Sequence, residues 1–157
     1  MRRTVIAAGI GVLLLAAGAG WWYGATAVRA PATSAADQAA LLATGERTYA
    51  NNCVECHGPA GGGQPDWRQR KANGRMPAPP LNGTGHTWHH PDPHLYAVVS
   101  KGVAALAPEG YQSDMKGFGD KLSERETRAV IAYVKQWWAA EIRARQKDIT
   151  ERATSSR

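Results

Sequence analysis

The chain holds two cysteines, and both stand in one run, Asn51-Asn52-Cys53-Val54-Glu55-Cys56-His57-Gly58. A Cys-x-x-Cys-His run is the attachment pattern of a c-type haem. The two thiols add across the two vinyl groups of the porphyrin, and the adjoining imidazole swings under the ring to bind iron. Two intervening residues let both sulfurs reach one porphyrin edge, which sets the spacing. The same cysteines could instead form a redox dithiol or half of a zinc site. Zinc needs further ligands at compact spacing, and there is no third cysteine. A redox dithiol normally follows a strand in a βαβ pattern, and no such strand is evident. Cys53 and Cys56 are therefore read as covalent haem positions and His57 as a ligand to its iron.

The elements that position this run must fit in 157 residues, enough for one small domain with appendages. A formal net charge of +6 is moderate, and Arg2, Arg3 and Arg29 at the amino terminus supply half of it. The body of the chain is no polyanion-binding surface, and nucleic acid is not an expected partner. With both cysteines committed to haem, no disulfide remains to hold the domain, and apolar packing on the haem must do so.

From Thr4 to Val28 the chain carries no charged residue, and Arg2-Arg3 precede the apolar run. This predicts an export signal over 1–30, retained as a hydrophobic helix long enough to cross a bilayer. Trp21-Trp22-Tyr23 suits the aromatic belt at its far end, and the two arginines hold the amino terminus in the cytoplasm. Cleavage after Ala27 or Ala30 is the alternative, and it would leave a soluble periplasmic protein. Residues 31–36 have linker composition, so the domain is expected at the outer, periplasmic face of the cytoplasmic membrane.

Asp37 is placed to cap a helix through Ala50, with Leu41, Leu42, Gly45 and Tyr49 at helical spacing. Gly45 is costly in a helix interior unless something approaches closely there. Gly45, Tyr49 and Cys53, four residues apart and followed by Cys56-His57, resemble the amino-terminal helix of a class I, single-haem cytochrome c. The resemblance implies that the carboxy-terminal helix crosses at Gly45, with Val130 and Tyr133 meeting Gly45 and Tyr49. It also implies that Pro79, in Pro77-Ala78-Pro79-Pro80-Leu81, offers its carbonyl to the far nitrogen of His57.

The second axial ligand follows from the same resemblance. Tyr111-Gln112-Ser113-Asp114-Met115-Lys116-Gly117-Phe118-Gly119 is similar to the family's distal methionine loop, which names Met115. Most relatives have proline directly after that methionine. Lys116 stands there instead, which predicts a less rigid loop. Met76 immediately precedes the proline-rich stretch on the histidine side. A neutral, soft thioether favours ferrous iron and raises the potential.

Between these motifs, Gly58 to Pro65 reads as loop. Arg68, Arg70, Lys71 and Arg75 form a local positive cluster, either a solvated face or a docking surface for an acidic redox partner. Asn82 to His94 holds His86, His89, His90 and His94 with Trp88. These side chains could cover a haem edge, with Trp88 in the pocket, or bind copper or zinc. Asp92 and Pro93 suggest a helix cap and first turn, with the helix ending at Gly102. Ser123-Glu124-Arg125-Glu126 is a capping box opening a helix to Trp138. Residues 141–157 turn polar and predict a fraying helical extension with a disordered end.

These readings converge on an all-α cytochrome c domain over 37–140, carrying one covalent haem c and its iron. With both axial positions filled, the resemblance implies an electron carrier in or beside a respiratory chain, not an enzyme. Donor and acceptor proteins are the expected partners, and no small-molecule substrate is expected. A peroxidase-like enzyme with a labile Met115, and a metal-delivery or sensing module on the 86–94 loop, are the competing readings.

Overall fold

The computed structural model describes residues 34–155, so the expected export segment at 1–30 lies outside the described residues. Five α-helices follow: α1 Ala35–Asn52, α2 Val54–His57, α3 Asp92–Lys101, α4 Glu124–Val134 and α5 Ala140–Ser155. Short 3-10 turns cover Thr87–His89, Ala104–Leu106 and Lys135–Trp137. Among the described residues no helix is long and apolar enough to cross a membrane.

The principal packing is α1 against α4. α1 turns Gly45, Thr48 and Tyr49 inward, and α4 turns Thr127, Ala129, Val130 and Val134. A Cβ at Gly45 would lie 2.2 Å from the Ala129 carbonyl oxygen and 2.7 Å from the Tyr133 Cβ. The crossing thus excludes any side chain at Gly45. Its nearest neighbours are Ala129 and the expected Tyr133, while Val130 packs with Tyr49 in the buried cluster. Tyr49 and Trp137 meet edge to face at 5.0 Å, and Tyr133 closes the trio at 5.9 Å from Tyr49.

α4 starts as its capping box predicts: the Glu126 N–H donates to Ser123 Oγ at 3.3 Å, and the Ser123 N–H to Glu126 Oε2 at 2.9 Å. It does not run unbroken to Trp138. The chain tightens into a 3-10 turn after Val134 and then extends, which carries Trp138 inward to 2 % exposure. There its indole N–H donates to the Leu81 carbonyl at 2.6 Å. The buried apolar cluster is Tyr49, Leu95, Val130, Val134 and Trp138.

The helix starts differ from two expected caps. α1 begins at Ala35, so Asp37 sits in the first turn, where a carboxylate complements the helix dipole. In α3 the N-cap position is Pro91, and Asp92 is already helical. The Asp92 carboxylate instead takes Lys135 Nζ and, at 2.7 Å, Gln146 Nε2.

The largest departure is the carboxy terminus. In place of a fraying extension and disordered end, α5 continues to Ser155. Polar side chains fasten it. Gln146, 2 % exposed, also donates to the His90 carbonyl at 3.1 Å, and the Asp92 N–H donates to Thr150 Oγ1 at 3.1 Å. Arg145 lies over the Trp88 ring at 5.3 Å.

Two substitutions test this packing in urea unfolding of the holoprotein. Gly45→Ala should cost about 2–3 kcal/mol by overpacking, whereas Gly62→Ala, with open space around its Cβ position, should be near neutral. Gln146→Ala, which removes the buried amide that ties α5 to the His90 carbonyl and the Asp92 carboxylate, should cost about 1–3 kcal/mol. Equal costs for the two glycine variants would contradict the crossing, and an unchanged midpoint for Gln146→Ala would contradict the anchoring of α5.

Candidate functional site: a haem-attachment cradle

α1 delivers the cysteine run. Its last turn passes into α2 at Cys53, whose N–H donates to the Tyr49 carbonyl at 2.9 Å, and the His57 N–H bonds the Cys53 carbonyl at 2.9 Å. Cys53 and Cys56 therefore sit one helical turn apart as free thiols, the first half-buried and the second exposed. Burial, with Cys56 beside it, pushes the Cys53 thiol up to about 11. The Tyr49 hydroxyl donates to the Gly58 carbonyl at 2.7 Å, pinning the end of α2 to the aromatic trio. Burial first, and the neighbouring Cys53 next, push that phenol up to about 12.

His57 is 7 % exposed, and its Nδ1 lies 2.9 Å from the Pro79 carbonyl oxygen. That carbonyl can only accept, so Nδ1 carries the hydrogen and Nε2 keeps a free lone pair. Burial lowers the His57 pKa against the smaller opposing effect of the Pro79 carbonyl, which favours the neutral ring a metal requires. A carbonyl behind a ligating imidazole fixes its tautomer and orientation and raises its basicity.

The glycine-rich loop after His57 builds this contact. Gly63 has φ 74°, and a Cβ on it would lie 2.6 Å from Pro80 N and 2.7 Å from Pro79 C. Two backbones therefore run in contact here, tied by Gln64 N–H to Ala78 O at 2.9 Å, Ala78 N–H to Gln64 Oε1 at 3.0 Å and Leu81 N–H to Gly61 O at 2.7 Å. The loop reads as structureless in sequence, yet it sets the Pro79 carbonyl against His57.

The surroundings fit a large flat apolar group. Cys53, Val54, Leu81, Trp88 and Val99 pack on the buried cluster but remain only partly buried themselves. Asn52 Oδ1, beside Cys53, is buried without a hydrogen-bond partner. Two thiols, a neutral imidazole with a free nitrogen and a half-covered apolar rim form a donor set suited to covalent haem.

Met115 is half-buried in a loop set against the end of α3, where the Val103 N–H donates to its carbonyl at 3.2 Å. Met76 is also half-buried, directly before the buried Pro77. Trp88 stacks on His89 at 3.7 Å, with Arg145 over its ring, so it joins the 86–94 loop to α5. His86 meets His90 at 5.7 Å, and His90 stacks on His94 at 4.5 Å. Among the described residues no three His, Cys, Asp or Glu side chains form a group that could hold one ion. The basic cluster is internally engaged. Arg68 covers Trp67, Arg70 donates to the Gly74 carbonyl at 2.7 Å, and Lys71 and Arg75 bind Asp114. Sequence reading gave the polar helical extension but missed the anchoring of α5 and the Asp114 contact, for which the alternation of basic and acidic residues gave no register.

The cytochrome c family model matches residues 42–138. The chain is also similar to the Cbb3-type cytochrome c oxidase subunit FixP of Azorhizobium caulinodans, 29 % identical over 93 residues, covering 59 % of this chain and 28 % of that protein. This chain thus aligns with under a third of that relative's length. No solved structure matches.

Burial holds the His90 pKa below the usual imidazole value, with His94, His86 and His89 adding in that order. The unfolded chain then binds a proton that the folded chain resists, so stability should fall as pH drops below the usual imidazole value of 6.5. The urea midpoint should drop between pH 7.5 and pH 5 in wild type and drop less in His90→Gln. An equal drop in both would contradict the assignment. With the donor set, the Pro79 carbonyl behind His57 and the family match over most of the helical body, the chain belongs to the cytochrome c family, which implies one covalently bound haem c with its iron.

Proposed function

We propose that this protein is a single-electron carrier whose haem is attached through Cys53 and Cys56, with His57 and Met115 as axial ligands. The observation that carries the reading is the buried, neutral His57 with Nδ1 held 2.9 Å from the Pro79 carbonyl. When bound, the haem supplies the Fe(III)/Fe(II) couple. The residues do the rest. Pro79 holds the imidazole in one tautomer, and the α1–α4 packing holds Cys53 and Cys56 in one helical turn. The half-covered rim of Val54, Leu81 and Val99 excludes water, which limits reorganisation as the charge on the iron changes.

Two fixed axial ligands leave no coordination site for a substrate, which favours a carrier over a peroxidase-like enzyme. Membership of the cytochrome c family and the similarity to an oxidase subunit support transfer between redox proteins of a respiratory chain. The apolar run over 4–28 supports retention at the outer face of the membrane, with the domain tethered by residues 31–36.

The haem should stay with the polypeptide through acid-acetone extraction and denaturing electrophoresis. Haem recovered in the organic layer would contradict thioether attachment. Met115→Ala should abolish the weak red charge-transfer band of the oxidised protein and lower the potential, because a ligand preferring ferrous iron is lost. Met76→Ala should do neither. The reverse pattern would assign the distal position to Met76. Intact mass of the membrane-extracted protein should retain the amino terminus, and a start at Val28 or Pro31 would show cleavage.

A further inference from the structure

Asp114 directly precedes Met115, and its carboxylate is shared by two cations from a distant part of the chain. Arg75 Nη1 donates to Oδ1 at 2.6 Å and Lys71 Nζ to Oδ2 at 3.2 Å. The cations are themselves set in a turn: Lys71 N–H bonds the Arg75 carbonyl at 2.9 Å, and Arg75 N–H bonds Asn73 Oδ1 at 3.1 Å. That turn leads through Met76 into Pro77–Pro79, the segment whose carbonyl meets His57.

On the other side, the Met115 loop is seated by a ladder of backbone bonds. The Met115 N–H donates to Ser113 Oγ at 3.1 Å, Gly102 and Lys116 form an antiparallel bridge, and Phe118 and Gly119 N–H groups bond Val99 and Ser100 carbonyls at 2.9 Å. These contacts fix the loop after Met115. Before it, the loop meets the 66–77 segment through the Asp114 carboxylate and through Arg70, which lies over the Tyr111 ring at 5.7 Å. Lys116 occupies the position where the family's usual proline would stiffen the turn, so restraint has to come from outside the loop.

We propose that Arg75 and Lys71, acting through Asp114, latch the distal-ligand loop to the loop that orients His57, and that Asp114 is the positioning residue holding Met115 at the iron. This rests on the reading of Met115 as the distal ligand. Exposed ion pairs contribute little to global stability, and these side chains are about two-fifths exposed. The latch therefore acts on local opening of one loop, a low-energy event that need not involve the core.

The test uses the oxidised holoprotein and imidazole, a neutral ligand that can enter only when the distal side chain leaves. At saturating imidazole the observed rate in stopped flow becomes the rate of loop opening. Asp114→Asn and Arg75→Gln should each raise that limit by about two- to five-fold, the size expected of an exposed pair. Arg75→Lys, which keeps a cation, should stay near wild type, and the double variant Asp114→Asn/Arg75→Gln should match the single variants. The two single substitutions change net charge in opposite directions, so a long-range charge effect would move the limit in opposite directions. Opposite shifts, unchanged limits or additive effects would overturn the latch. Met115→Ala separates the two ideas: persistence of its red charge-transfer band would mean that the ligand assignment has failed, whatever the latch variants do.

Discussion

The contact between the α1 backbone at Gly45 and the Ala129 carbonyl governs where everything else sits. Any side chain at Gly45 would displace α4, and with it Tyr133, Trp137 and Trp138. Tyr133 and Trp137 pack on Tyr49, whose hydroxyl holds the Gly58 carbonyl at the end of α2. A steric constraint between two helices is thereby transmitted, in one turn of α1 and one hydrogen bond, to the segment holding Cys53, Cys56 and His57. Close helix approach is rigid because packed interiors leave little free volume. The attachment run therefore inherits its precision from a contact between helices and not from its own short helix.

The two sides of the cradle are built differently. Behind His57 the support is backbone on backbone, with Gly63 admitting the Pro79–Pro80 segment and Pro79 accepting from the imidazole. Such contacts are insensitive to salt and to the charge state of the surface. On the side of Met115 the loop is joined to the rest of the chain by the end of α3 and by the ionic contact at Asp114. Exposed charge is screened by salt and exchanges with water. In the proposed carrier, a firmly held His57 would therefore be paired with a more easily released Met115.

How far sequence reveals this depended on the range of the interaction involved. The Cys-x-x-Cys-His run, the Ser123–Glu126 capping box and Gly102 at the end of α3 are local signals, since residue type and spacing alone determine what they do. Gly45 was legible because glycine in a helix interior calls for a close neighbour and the family resemblance named Val130 and Tyr133 across the crossing, while the nearest backbone, at Ala129, carried no signal of its own. Asp92 looked like a helix cap because its nearest chain neighbours suggested one. Its carboxylate instead serves Lys135 and Gln146, groups that only tertiary folding brings near. α5 was legible as a polar helical extension, but its packing was not, for the same reason. Its anchors are Gln146, Thr150 and Arg145, polar side chains that hydrophobic periodicity counts as solvent-facing. The run over 4–28 remains a sequence expectation, since it lies outside the described residues.

A filled distal position is what separates an electron carrier from a haem enzyme in this fold. Addition of carbon monoxide to the fully reduced, purified protein at neutral pH tests it most directly, because the gas binds ferrous haem only where an axial site is open. An unchanged spectrum over minutes is the expected result for a His57/Met115-ligated carrier. Immediate formation of the carbon monoxide adduct in the unmodified protein would contradict it and would point to a haem open to small-molecule chemistry.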